Sequence, residues 1–284
     1  MLSFEVWDVF TDTPFAGNPL AIVETDGTLT TRQMQVLARQ FNLSETIFLM
    51  PPKDPAHTAK ARIFFPTNEI PFAGHPTVGA AHYLAGRDGL SHVTLEEEAG
   101  VVPVTLRDGM AQFTAPVLPE RKSGPLDPTI CAEALGLSPV QVARHTPAVY
   151  GGGPAFIYVA VTDRAALAEA RPTEPAWTAL TSAAGGTEAV YVYDPDFNAR
   201  MFDPCAGIPE DPATGSASAI LAAPLLDNGV LGEGCTKLTV RQGEDMGRPS
   251  RIYFEADVRG QRLTAVRISG KAVPISKGQI KIPV

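Results

Sequence analysis

The chain has 284 residues, enough for about two domains. A hydrophobic fraction of 44% and a charged fraction of 19% exclude a disordered chain, and 25 glycines with 26 prolines exclude a long coiled coil or a helical bundle. A formal charge of −8 argues against a nucleic-acid groove or an anionic membrane surface as the main partner.

The opening MLSFEVWDVF lacks the basic region and long apolar core of a secretory signal and reads as a strand from the outset. Alternating or apolar runs predict strands over Phe4–Phe10, Leu20–Val23, Thr46–Met50, Ala61–Phe65, Val93–Glu96 and Val101–Leu106. Between them, Thr30 or Thr31 caps a helix running to about Asn42, with Met34, Leu37, Ala38 and Phe41 on one face. A second helix, Thr77–Leu84, is small and apolar on every side. Trp7, Met34, Phe41 and Trp177 read as core, and Glu96-Glu97-Glu98 as a solvated strand end and turn. The breaker-rich Arg121-Lys122-Ser123-Gly124-Pro125 marks a domain boundary, giving domains over 1–120 and 121–284, with the last strand free to return to the first domain.

The longest uncharged run, His145–Thr162, is interrupted at Gly151, Gly152, Gly153 and Pro154, so it reads as two strands around a turn and not as a membrane span. Further strands are predicted over Phe156–Val161, Ala189–Tyr193, Arg200–Phe202, Leu238–Gln242, Ile252–Glu255, Leu263–Ile268 and Gln279–Ile282. A third helix, Gly215–Leu226, again lacks a polar face. Helices of this kind belong inside a protein, so the pattern predicts an α+β fold with one sheet-wrapped helix per domain. Three cysteines, Cys131, Cys205 and Cys235, without a CxxC pair, fit a reduced cytoplasmic setting and suggest no metal site.

An internal repeat carries the most information. ARIFFPTNEIP (61–71) and ARMFDPCAGIP (199–209) align with Arg62 on Arg200, Phe64 on Phe202, Pro66 on Pro204 and Pro71 on Pro209. The two copies run into GHPTVGAA and DPATGSAS, each opening a small-residue helix. Upstream, GNPLAIV (17–23) echoes GGPAFIYV (152–159), and SETIFLM (44–50) echoes TEAVYVY (187–193). The chain reads as two copies of one half-domain.

A helix start leaves backbone N–H groups unpaired at the positive end of the macrodipole, and small residues let an anion approach them. On one copy alone, Pro76 and Pro212 would be no more than helix-start residues. The same device twice favours a grip on a carboxylate or developing oxyanion. His75 and Asp211 head the two loops, and Ser216 lies in the first turn of the third helix. Asp211 is also placed to cap backbone N–H groups near Thr214, and Ser216 to be a simple core hydroxyl. Glu45 reads by position as a helix-to-strand connector, and its repeat mate Glu188 has the same context, so neither is singled out. His57, His82, His92 and His145 show no metal-ligand spacing, and no nucleophile elbow surrounds Ser216.

DVFTDTPFAGNPLAIV (8–23), NLSETIFL (42–49), RIFFPTNEIPFAGHPTVGAAHYL (62–84), EDPATGSASAIL (210–221) and QGEDMGRPSRI (242–252) together resemble the phenazine-biosynthesis isomerase (PhzF-like) family. The resemblance implies a diaminopimelate-epimerase-like fold of two pseudo-symmetric domains, with the active site between them. It also implies an enzyme without a cofactor, usually a homodimer. Carried over by position, the family's acid/base glutamate falls on Glu45, and its other polar catalytic positions fall on His75 and Asp211. Gly74, Pro76, Thr77, Thr214, Gly215 and Ser216 become substrate-binding positions. No cysteines stand at the loop heads, which disfavours a two-thiol racemase. Pro224, inside the third helix, and Ser269, where glycine is common, depart from the family pattern. The expected activity is an isomerase or epimerase that moves a proton on a small carboxylate-containing substrate. The alternative is a non-catalytic protein that binds such a carboxylate.

Overall fold

The structure is a computed structural model that describes residues 1–142 and 145–284. The chain forms two compact units, Met1–Pro116 with Ile268–Val284, and Val117–Arg267.

In the first unit β1 (Leu2–Val9) pairs antiparallel with β2 (Asn18–Glu24). The crossover helix α1 (Thr31–Phe41) then leads to β3 (Glu45–Met50), parallel to β2. β4 (Ala59–Phe64) runs antiparallel to β3 and takes the two-residue β5 (Glu69–Ile70) beside it. After α2 (Gly74–Asp88), β6 (His92–Glu97) joins β4 in parallel, and β7 (Gly100–Arg107) and β8 (Met110–Thr114) continue antiparallel. α1 is closed by a capping box between Thr30 and Gln33 and by Asn42 in the left-handed conformation. Its buried face, Met34, Leu37 and Ala38, packs with Val23, Phe48 and Phe64 of the sheet. α2 is longer at both ends than the predicted Thr77–Leu84. It packs against β1, β2, β3, β6, β7 and β8, and every residue from Gly74 to Ala81 is buried. At Gly79 β1 and β2 pack tightly against it: a Cβ there would stand 2.5 Å from a Leu20 methyl and 2.8 Å from a Val9 methyl.

The second unit opens with β9 (Glu120–Arg121) and α3 (Pro128–Ala134), capped by Asp127. β10 (Ala148–Gly151) and β11 (Ala155–Ala160) form a hairpin, and the polar-faced helices α4 (Arg164–Glu169) and α5 (Ala176–Ala183) follow. β12 (Val190–Tyr193) runs parallel to β11, β13 (Asn198–Asp203) antiparallel to β12, and β14 (Ile208–Asp211) antiparallel to β13. Then come α6 (Gly215–Ile220) and α7 (Ala222–Asp227). β15 (Gly234–Gln242) lies parallel to β13, and β16 (Ser250–Arg259) antiparallel to β15. β17 (Arg262–Gly270) crosses the division between the units, and β18 (Ala272–Ile280) pairs antiparallel with β1. A core around Trp177, Leu180, Val190, Val192 and Phe202 lies under α3, α4 and α5.

The fold is α+β, and both units use one plan: antiparallel, parallel, antiparallel, a short strand, then a parallel strand after a buried helix. Arg62 and Arg200, matched in the repeat, each make a two-point ion pair, with Glu69 and Glu210 respectively, and each stacks over the matched phenylalanine, Phe64 or Phe202.

Several expectations are corrected. The third helix is two short helices, because Pro224 has no N–H to give the Ile220 carbonyl. The helices α3, α4 and α5 escape the sequence reading, being too short to show a period. The last strand covers Ala272–Ile280 and not Gln279–Ile282, its register set by pairing with β1. Trp7 is half-buried, its indole N–H donating to Glu5, so it is not core. Among the described residues no helix is long and apolar enough to cross a membrane.

Candidate active site

Glu45 is the first residue of β3, in register with Leu20 of β2, and is only 8% exposed. His75 is the second residue of α2 and is 2% exposed. Thirty residues apart in sequence, they meet with His75 Nδ1 3.1 Å from Glu45 Oε2. That is ion-pair distance, but Glu45 Oε2 has no hydrogen bond among the described residues. A buried carboxylate oxygen left in this state is costly for stability and typical of functional positions. The positive end of the α2 dipole beside it favours negative charge there by about 0.3–1 kcal/mol. Glu188, its repeat mate, is exposed and lies ahead of β12, so burial separates the two glutamates that their sequence context left equal.

Gly74 and Pro76 flank His75 in the first turn of α2 and are buried. Thr77 is fully buried, its hydroxyl 2.8 Å from the Ala73 carbonyl and 2.7 Å from Glu97 Oε1. Glu97 is a residue the sequence reading placed in solvent. It is instead 8% exposed, following Val93 and Leu95 on the inward face of β6, and that alternation was the available signal. Burial pushes its pKa up to about 8, against the opposing Thr77 hydrogen bond. A single threonine hydrogen serves one acceptor, and the Ala73 carbonyl can only accept. A neutral Glu97 supplies the second hydrogen. Its neighbour Glu96 faces outward, where the backbone N–H groups of Asp54 and Lys53, with the His57 ring, lower its pKa to about 2.

In the second unit Asp211 ends β14 and is 4% exposed. Its Oδ2 accepts from the Thr214 hydroxyl at 2.5 Å. Thr214 is the residue before α6, Gly215 its first, and Ser216 its half-buried second. The Thr214 N–H donates to Gln242 Oε1 at 3.1 Å. Pro212 lies ahead of α6 and not in its first turn. Gln242, fully buried at the end of β15, and Tyr191 and Ser218 beside it are polar partners that the sequence reading did not select. Their signal in sequence is weak, since uncharged residues at strand ends and inside a small-residue helix are unremarkable. Among the described residues no cluster of three or more His, Cys, Asp or Glu side chains forms a metal-binding group.

The fold aligns with the solved structure of a predicted epimerase from Pseudomonas aeruginosa, with a TM-score of 0.85 and 31% identity over 99% of both chains. This places the architecture among epimerase and isomerase folds. The family model described as phenazine biosynthesis-like protein matches residues 7–278, and the chain belongs to that family. It is 39% identical to an uncharacterised isomerase of Mesorhizobium japonicum, over 99% of both chains. It is 33% identical to the trans-2,3-dihydro-3-hydroxyanthranilate isomerase of Pseudomonas aeruginosa, over 98% of this chain and 99% of that one. The chain is an isomerase of the PhzF type.

Proposed function

We propose that this isomerase moves a proton between two positions of one small carboxylate-containing substrate, without a cofactor, using Glu45 as the acid/base group. The observation that carries the reading is the buried Glu45 carboxylate, 3.1 Å from His75 at the start of α2 and with an oxygen that makes no hydrogen bond among the described residues. Glu45 as a carboxylate takes a proton from a substrate C–H. The electron pair left on carbon spreads into the adjacent unsaturated system, and the carboxylic acid so formed returns the proton at the other end. No atom is gained or lost, and Glu45 ends the cycle ionised. His75, with Gly74, Pro76 and Thr77 around it, positions the carboxylate and polar groups of the substrate. Asp211 is assigned a polar contact to substrate or a part in the proton transfer, with Thr214, Gly215 and Ser216 as binding positions.

The first substrate to try is trans-2,3-dihydro-3-hydroxyanthranilate, the compound in the name of the Pseudomonas aeruginosa relative, followed by a panel of unsaturated or α-substituted carboxylates. Turnover in deuterated water reads proton transfer at carbon by mass and NMR. Glu45→Gln is expected to keep the fold and lose at least about 1000-fold in kcat, since the amide can neither take nor return the proton. Full turnover by Glu45→Gln would sink the assignment.

A further inference from the structure

Gln242 is an uncharged residue at the end of β15, fully buried, with every polar atom of its side chain engaged by the Asp211–Thr214 segment or by Tyr191. Its orientation follows from two partners that leave no choice. The Thr214 N–H only donates, so the atom 3.1 Å from it is the amide oxygen. The Asp211 carbonyl only accepts, so the atom 2.8 Å from it is the amide nitrogen. The second hydrogen on that nitrogen points to Thr214 Oγ1 at 3.0 Å. The Thr214 oxygen thus receives a hydrogen from Gln242, and its own hydrogen goes to Asp211 Oδ2 at 2.5 Å.

The backbone supports the same arrangement. Ala199 and Met201 of β13 stand opposite Gln242 and Asp211, so the two residues flank one strand. Gly243 has φ +78°, and a Cβ there would meet the Pro212 carbonyl at 2.6 Å and the Arg248 carbonyl at 2.4 Å. Only glycine lets the Asp211–Thr214 segment close against the strand end.

We propose that Gln242 is a positioning residue, which directs the Thr214 hydroxyl onto Asp211 and so holds the Asp211 carboxyl in one orientation as a hydrogen-bond acceptor. The proposal rests on the reading that Asp211 takes part in the reaction. Gln242 itself touches no substrate in this scheme.

The test compares Gln242→Met, Thr214→Val, the double variant, Thr214→Ser and Asp211→Asn, with trans-2,3-dihydro-3-hydroxyanthranilate as the probe. Gln242→Met is expected to lower kcat about 10- to 100-fold with KM changed less than about threefold, the scale of one lost hydrogen bond to a charged group. Thr214→Val should lose as much and the double variant no more than either, whereas Thr214→Ser, which keeps the hydroxyl, should lose less than Thr214→Val. A folded Gln242→Met with unchanged kcat overturns the proposal, and so do losses that multiply in the double variant. Should Gln242→Met not fold, Gln242→Glu keeps the length and an acceptor for the Thr214 N–H but offers no amide donors, and the same loss is expected. Independently of turnover, a crystal structure of the Gln242 variant should show Thr214 Oγ1 turned out of hydrogen-bond reach of Asp211. A bond kept at its present length overturns the proposal. Full activity of Asp211→Asn would instead overturn the underlying reading of the site, so the two failures are separable.

Discussion

At pH 7 the Glu97 carboxyl lies inside the first unit mostly as a neutral acid, because burial raises its pKa to about 8. In the unfolded chain the same group ionises near 4.5. Below that value both states hold the proton and the group costs nothing. As the pH rises toward 8 the unfolded state alone releases it, so stability falls by up to about 1.4 kcal/mol per pH unit and then levels off. Glu97→Gln, which keeps the neutral shape, is expected to remove this decline. Urea midpoints at pH 5 and pH 8 should differ less in the variant than in the parent, and an equal difference in both would refute the assignment. Glu97 was legible in principle from the alternation of Val93, Leu95 and Glu97, but three consecutive glutamates made the solvated reading the natural one. The pairing of Glu45 with His75 was not legible at all beyond the family pattern, since nothing local in either segment encodes a contact thirty residues away.

Elements were read best where their ends carry their own chemistry. α1 has Thr30 and Gln33 bonding reciprocally at its start and a left-handed Asn42 at its end, and the sequence placed it almost to the residue. Thr30→Ala removes the side-chain acceptor for the Gln33 N–H and is expected to cost about 1 kcal/mol, measured by chemical denaturation. α2 and α6 offer no such signal at their starts, where neither has a side-chain cap bond, although α2 ends at Gly89 in the left-handed conformation. The start of α2 is decided by the sheet packed around it, which buries even its first residue. The division of the third helix into α6 and α7 had a visible cause in Pro224, whose missing N–H breaks the backbone ladder. Short strands such as β5 and β14 exist only as partners of β4 and β13, and two to four residues hold too little pattern to be seen alone.

On the scale of the whole chain, the C-terminal β18 belongs with β1 at the N-terminus, paired from Leu2 with Ile280 to Val9 with Ala272. Ending the chain at Lys271 would therefore expose one edge of β1 and remove a strand from the first unit, whose remaining sheet and core sit at the other end of the sequence. Amide hydrogen exchange is expected to speed up throughout β1 and β2 in such a truncation, while β11 and β12 of the second unit keep their protection. Uniform loss of protection in both units would contradict this division of the chain. The repeated Arg–Glu–Phe arrangement, Arg62 with Glu69 and Phe64, Arg200 with Glu210 and Phe202, shows the duplication surviving in side-chain contacts as well as in strand order.

The sequence by itself determined the class of fold, the duplication, the family and the segments that carry the polar candidates, because hydrophobic period, turn residues and repeated motifs are properties of short stretches. Tertiary structure alone decided which of two equivalent glutamates is buried beside a histidine. It alone turned Glu97 inward and joined Gln242 to Asp211 through Thr214. Burial and hydrogen-bond direction depend on what other parts of the chain bring to the same place. No local pattern contains that information.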